Sequence, residues 1–180
     1  MNRPRHEIYI PSKGRWQPGR ALTARALIRD GVPFTAVVEP AEAAHYAAAF
    51  GKKNVLVLPR DGMRAVGSRR WIQEHATGER HWQLDDNMRG FFYQYRGKRI
   101  RCPAGFALRV VEDFTDRYEN VGLSGPVYKM FGFPQRPPFQ VNCHVYSCML
   151  INNSIPYRFR TTNEDIELTS PGVGGVRRCG

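Results

Sequence analysis

The first half of the chain repeats one unit: a short apolar run, a polar or glycine-rich end, then a helical stretch. Glu7-Ile8-Tyr9-Ile10-Pro11 is the first run, ending in Ser12-Lys13-Gly14-Arg15. Residues 21–29 carry apolar side chains at helical spacing and stop at Gly31. Residues 34–38 form a second, β-branched run closed by Glu39-Pro40. An alanine-rich helix over 41–50 ends at Gly51, a natural C-terminal stop. A third run, 54–58, ends at Pro59 and is followed by a helix predicted over 67–76. His81-Trp82-Gln83-Leu84 is the fourth run and leads into Asp85-Asp86-Asn87. Four strands with three intervening helices predict an α/β fold, a mostly parallel sheet with helices on both faces. Such sheets bind ligands at the carboxyl ends of their strands. Here those ends carry Lys13, Arg15, Glu39, Arg60, Asp61 and the Asp85-Asp86-Asn87 run.

The second half is less regular. Residues 90–101, rich in Tyr, Phe and Arg, predict a hairpin-like insertion. Residues 106–118 have helical spacing, with Glu112, Asp113, Asp116 and Arg117 placed outward. Residues 122–138 are rich in Gly and Pro and predict a long loop. A strand-like run covers 141–151, with a turn at Asn152-Asn153-Ser154 and an alternating stretch over 157–161. We expect one domain over residues 1–168 and an irregular tail over 169–180. A chain of 180 residues can bury enough surface to fold without disulfide or metal staples. Its four cysteines form no C-x-x-C pair, and Cys143 and Cys148 flank His144 at a spacing unlike the usual zinc patterns. No apolar run approaches a membrane span, and the N-terminus lacks the apolar core of a secretion signal. These features predict a soluble cytoplasmic protein with reduced thiols.

Lys and Arg number 27 against 16 for Asp and Glu, a net charge of +11. That excess suits a polyanionic partner, either nucleic acid or a phosphorylated ligand, or serves solubility alone. Asp85 and Asp86 are the sharpest chemical feature. Adjacent carboxylates repel unless a cation or hydrogen bonds offset the cost. Mn²⁺ or Mg²⁺ takes one or two carboxylates plus phosphate oxygens, so the pair suits such an ion. A capped turn would use the same residues. Arg69 and Arg70 fall at the predicted start of a helix, where phosphate is attracted, or on a solvated basic face. Glu39 can accept hydrogen bonds from a ribose or cap a helix, and Lys13 and Arg15 can meet a nucleotide. Asn163-Glu164-Asp165 is a second acidic cluster, suited to a general base or to an N-cap. No Walker loop, Gly-x-Gly-x-x-Gly, Gly-x-Ser-x-Gly or His-Glu-x-x-His occurs. That disfavours P-loop NTPases, dinucleotide oxidoreductases, common hydrolases and zincins.

Taken in order, Ile-Pro-Ser-Lys-Gly-Arg-Trp, Val-Val-Glu-Pro, Arg-Arg-Trp-Ile, Arg-His-Trp-Gln-Leu-Asp-Asp-Asn and Asn-Glu-Asp-Ile-Glu-Leu form a pattern. This pattern, from about Ile8 to Leu168, resembles the bacteriophage TET-associated glycosyltransferases. The resemblance implies a GT-A-like, Rossmann-type fold. It implies transfer of a sugar from a nucleotide-sugar donor, in first expectation a UDP-sugar, to DNA. The implied acceptor is a hydroxylated pyrimidine such as 5-hydroxymethylcytosine in phage DNA. Carried over by position, Asp85 and Asp86 are the metal and donor site. Lys13, Arg15 and Glu39 match the nucleotide-binding strand ends, and Arg69 and Arg70 match the contacts to the donor diphosphate. Asp165 matches the catalytic base, supported by Glu164, and an inverting single displacement follows from that role. Family members continue with a further helix and strands after Asn-Glu-Asp. Here Gly-Val-Gly-Gly-Val-Arg-Arg-Cys-Gly follows, so a truncation or reading-frame change near Ser170 is expected. Two other readings stand beside this one. One is a non-catalytic nucleic-acid-binding module using the Arg- and Tyr-rich segment near Phe91–Arg101. The other is a glycosyltransferase or nucleotidyltransferase with a small-molecule acceptor. Metal-dependent donor binding separates the enzymes from the module, and salt-dependent affinity for DNA separates the acceptors.

Overall fold

In a computed structural model of the chain, residues 3–128 and 139–155 are described. The elements run β1 (Glu7–Pro11), α1 (Leu22–Arg29), β2 (Thr35–Val38), α2 (Ala43–Phe50), β3 (Val55–Val57), α3 (Arg64–His75) and β4 (Arg80–Leu84). Then follow β5 (Phe91–Tyr95), β6 (Lys98–Cys102), α4 (Ala104–Thr115), β7 (Leu123–Ser124) and β8 (Cys148–Asn152). Six strands form one sheet in the order β3-β2-β1-β4-β8-β7, and β5 and β6 pair separately. The four strands expected from the repeating unit are parallel: β1 pairs with β2 and β4, and β2 with β3. The sheet is therefore mostly parallel with an antiparallel edge, since β8 runs against both β4 and β7.

The order places a reversal between β1 and β4. From β1 the chain steps to β2 and then β3, and it returns past β1 to build β4. Right-handed crossovers put successive helices on one face while the chain steps in one direction and on the opposite face when it turns back. The core follows that rule. Leu27, Tyr46 and Leu108, from α1, α2 and α4, pack with Ile8, Ile10, Trp82 and Leu84 on one side of the sheet. Ile72 of α3 packs with Tyr9, Val37 and Leu58 in a second cluster. All five residues of β4 are buried, including the polar Arg80, His81 and Gln83.

Several boundaries differ from the sequence expectation. Helix α3 starts at Arg64, not at Gly67. A Cβ at Gly67 would lie 3.2 Å from Met63 Cβ, so the glycine makes room inside the helix rather than loosening a loop before it. Ser68 and Arg69 therefore sit beyond the first turn, and Ser68 Oγ donates to the Arg64 carbonyl at 2.8 Å. The strand expected over 141–151 starts at Cys148, because Asn142 and Ser147 have φ of 56° and 61° and interrupt extension. The expected loop over 122–138 contains β7, which completes the sheet edge. Glu112 points inward, against expectation, and is fully buried. Its carboxylate accepts hydrogen bonds from Trp82 Nε1 at 2.9 Å and from the backbone N–H groups of Arg5 and His6. A buried acid persists because those donors replace water. The stretch expected over 157–161 and the tail lie outside the described residues. Among the described residues no helix is long and apolar enough to cross a membrane.

Candidate functional site

Three adjacent parallel strands, β2, β1 and β4, end along one edge, at the reversal where open α/β sheets bind ligands. The first contribution is the turn after β1. Its four residues are held by side chains rather than by regular structure. Ser12 Oγ donates to Asp86 Oδ2 at 2.8 Å and lies 2.7 Å from the Tyr46 hydroxyl. That hydroxyl also accepts the Arg15 N–H at 3.0 Å. The Gly14 N–H points at both Glu42 carboxylate oxygens, at 2.9 and 3.1 Å, and Gly14 has φ of 66°, which glycine adopts without strain. Glu42 and Tyr46 stand four residues apart on one helical face at the start of α2, a spacing the sequence displays. Their role as braces of the turn appears only once β1 and β2 are adjacent.

The second contribution is Glu39, at the end of β2. It is 5% exposed and accepts a hydrogen bond from Lys13 Nζ at 2.6 Å. That bond holds the Glu39 carboxyl below the usual carboxylate range against the opposing effect of burial, with help from the backbone N–H groups of Gly62 and Met63. The same pairing pushes the Lys13 ammonium up. Lys13 and Glu39 thus present one buried acceptor and one exposed cation side by side.

The third contribution is the turn after β4. The Asp85 N–H donates to the Ser147 carbonyl at 2.8 Å, continuing the β4–β8 ladder by one residue. Thr23 of α1 binds this turn at three points: its hydroxyl donates to the Asp85 carbonyl, its N–H reaches the Asp86 carbonyl, and Met88 N–H donates to its Oγ1. Asp86 faces β1, with Arg15 Nε at 3.7 Å in addition to Ser12. Asp85 faces α3 and pairs with Arg69. Arg69 is only 3% exposed, and Gln83 braces it by donating to the Arg69 carbonyl at 3.1 Å. A guanidinium so buried needs a carboxylate partner. Gln83 in turn touches His81 Nε2 at 2.9 Å, and His81 Nδ1 meets Asn153. Burial drives the His81 pKa down to about 4. His81, Gln83 and Asp85 alternate along β4, so all three project onto the α3 face.

The structure therefore brings together Lys13, Arg15, Glu39, Arg69, Asp85 and Asp86. It does not bring Arg70 to them: Arg70 pairs with Glu74 at 2.9 Å on the exposed side of α3. Glu164 and Asp165 lie outside the described residues. Ser12, Thr23, Glu42, Tyr46 and Gln83 are the supporting residues that sequence reasoning did not single out. Among the described residues no three His, Cys, Asp or Glu side chains gather to hold a metal ion. Asp85 and Asp86 are the acidic pair of this edge, and each is held by its own partners, Asp85 by Arg69 and Asp86 by Ser12 and Arg15. Arg15 and Arg69 already face those two carboxylates, so the same edge offers positive charge to a phosphate.

No curated protein matches the sequence. A family model does: TET-Associated Glycosyltransferase, over residues 6–170. That span covers both halves of the sheet and the whole edge just described. The chain belongs to the TET-Associated Glycosyltransferase family and is a glycosyltransferase.

Proposed function

We propose that the protein moves a sugar from a nucleotide-sugar donor to a hydroxylated pyrimidine, such as 5-hydroxymethylcytosine, in DNA, with Mn²⁺ or Mg²⁺ as cofactor. The observation that carries the donor half is the convergence of Lys13, Glu39, Arg15, Arg69, Asp85 and Asp86 at the strand-end reversal. The family assignment supports the transfer chemistry, and the net charge of +11 supports a polyanionic acceptor. Glu39 accepts the ribose hydroxyls, with Lys13 beside it on the nucleotide. Arg15 and Arg69 supply positive charge for the diphosphate, Arg69 while paired with Asp85. Asp85 and Asp86 would hold the metal. The bound ion would neutralise charge building on the departing nucleoside diphosphate. Asp165, supported by Glu164, removes the acceptor hydroxyl proton as the oxygen attacks the anomeric carbon and the bond from that carbon to the nucleoside diphosphate breaks, which gives inversion.

Calorimetric titration with UDP-sugars, first with Mn²⁺ and then with chelator, tests the donor half. We expect binding that disappears on chelation. Absence of binding for donors of every nucleotide would overturn it. Asp165→Asn tests the acceptor half: it should keep donor affinity and lose transfer to hydroxymethylated DNA. Transfer at the parent rate would remove Asp165 from the mechanism.

A further inference from the structure

The β5–β6 hairpin is the part of the described fold that turns its residues outward. Only its two root residues, Phe91 and Cys102, are buried in the core. Tyr93 leans edge-on against Phe106 of α4, with ring centroids 6.2 Å apart. Beyond that root, Phe92, Tyr93, Tyr95 and Ile100 are between 37 and 53% exposed. Such a two-stranded ribbon is marginal by itself, and its residues beyond the root are exposed.

Charge is the second observation. Arg89, Arg96, Lys98, Arg99 and Arg101 fall in the thirteen residues 89–101, and no acid occurs between Asp86 and Glu112. Exposed aromatics interleaved with cations are the composition that stacks on bases and neutralises phosphates. The tip is the third observation. Arg96 and Gly97 have φ of 46° and 74°, the two left-handed positions of a tight hairpin turn. Asparagine is the favoured partner of glycine there, and arginine is a strained choice. The strained side chain extends the cationic row to the outermost point and lies over the Tyr95 ring at 5.2 Å.

Position is the fourth. Five residue steps separate Asp86 from Phe91, so the ribbon is rooted within about 18 Å of the acidic pair. A five-residue strand spans about 17 Å. That length matches several nucleotides, and a two-stranded ribbon is narrow enough for the DNA major groove.

We infer that the β5–β6 hairpin is a DNA-binding arm that grips the acceptor DNA beside the modified base, through phosphate contacts from its cations and groove contacts from its aromatic side chains. This rests on the proposal that the acceptor is DNA. The arm contacts backbone and groove, so its affinity is independent of the acceptor hydroxyl and of donor and metal.

The test uses the full chain and a fluorescent 20-nucleotide duplex, with anisotropy read at rising salt. The variants are Arg96→Asn/Lys98→Gln, which relieves turn strain while removing charge, and Arg96→Lys/Lys98→Arg, which keeps charge. The first should fold at least as stably as the parent by thermal melt. Its DNA affinity should fall about tenfold at low salt, and its salt slope should drop by about two, one for each phosphate that no longer meets a cation. The second should bind like the parent. Equal affinity and slope in all three proteins would overturn the arm while leaving a DNA acceptor standing. Loss of DNA binding in the charge-removed variant without any metal-dependent donor binding would keep the arm and sink the donor site. Arm-dependent binding to vesicles with one-fifth anionic lipid, and none to DNA, would overturn the inference.

Discussion

Strands β4 and β5 have the same length and lie in opposite environments. Every residue of β4 is buried, and only the first residue of β5 is. β4 sits between β1 and β8 with helices over the sheet, whereas β5 pairs with one strand, β6. The difference shows that a strand's own residues set its conformation, while its neighbours set its burial and therefore its work. In β4 buried polar side chains are tolerated because each finds a partner, and that rigid ladder aims Asp85 at Arg69. In β5 and β6 the residues beyond the root face water instead.

Four substitutions or conditions test that contrast, in falling order of effect. Trp82→Ala should cost about 3–5 kcal/mol, since it empties a fully buried site and takes away the indole donor to Glu112. Urea unfolding should show it as a lowered midpoint, and a loss under about 1 kcal/mol would mean that β4 is not the core strand. Acidification comes next. His81 stays neutral in the folded chain down to about pH 4, while the unfolded chain protonates it near 6.5. Between those values the unfolded state binds more protons, so stability falls as pH falls, by about 3 kcal/mol at most. Urea midpoints at pH 7, 5.5 and 4.5 should decline more steeply in the parent than in His81→Gln. Identical slopes would place His81 in contact with solvent.

Asp86→Ala should lower transfer at least about 100-fold, near 2.7 kcal/mol of transition-state stabilisation, with the fold retained. Equal metal-dependent donor affinity in mutant and parent would move the site elsewhere. The smallest effect belongs to the ribbon. Tyr95→Ser should alter stability by no more than about 0.5 kcal/mol, because the side chain is 53% exposed. A larger loss would mean that the ribbon is packed against something in the folded chain.

Much of the strand-end edge is legible in the residues. The punctuation after each apolar run placed Lys13, Arg15, Glu39 and Asp85-Asp86 at strand ends, and the sheet brings them together. Arg69 and Arg70 read alike in the sequence. The register of α3 separates them, because a step of one residue turns the side chain by about 100°. One guanidinium is buried against Asp85 and the other pairs with Glu74 outside. Glu112 departs from its outward expectation for a related reason. Its helix periodicity admits an acid on the boundary of the apolar face, and only the position of Trp82 and of the residues leading into β1 shows donors waiting there.

Local pattern was enough for the strand-helix alternation, the hairpin and the acidic and basic character of each strand end, because these depend on neighbours a few residues away. The order β3-β2-β1-β4-β8-β7, the antiparallel edge and the pairing of Arg15 with Asp86 and Arg69 with Asp85 depend on contacts between distant parts of the chain. Those contacts were decided when buried strands and helices chose the packing that satisfied both their apolar faces and their polar groups.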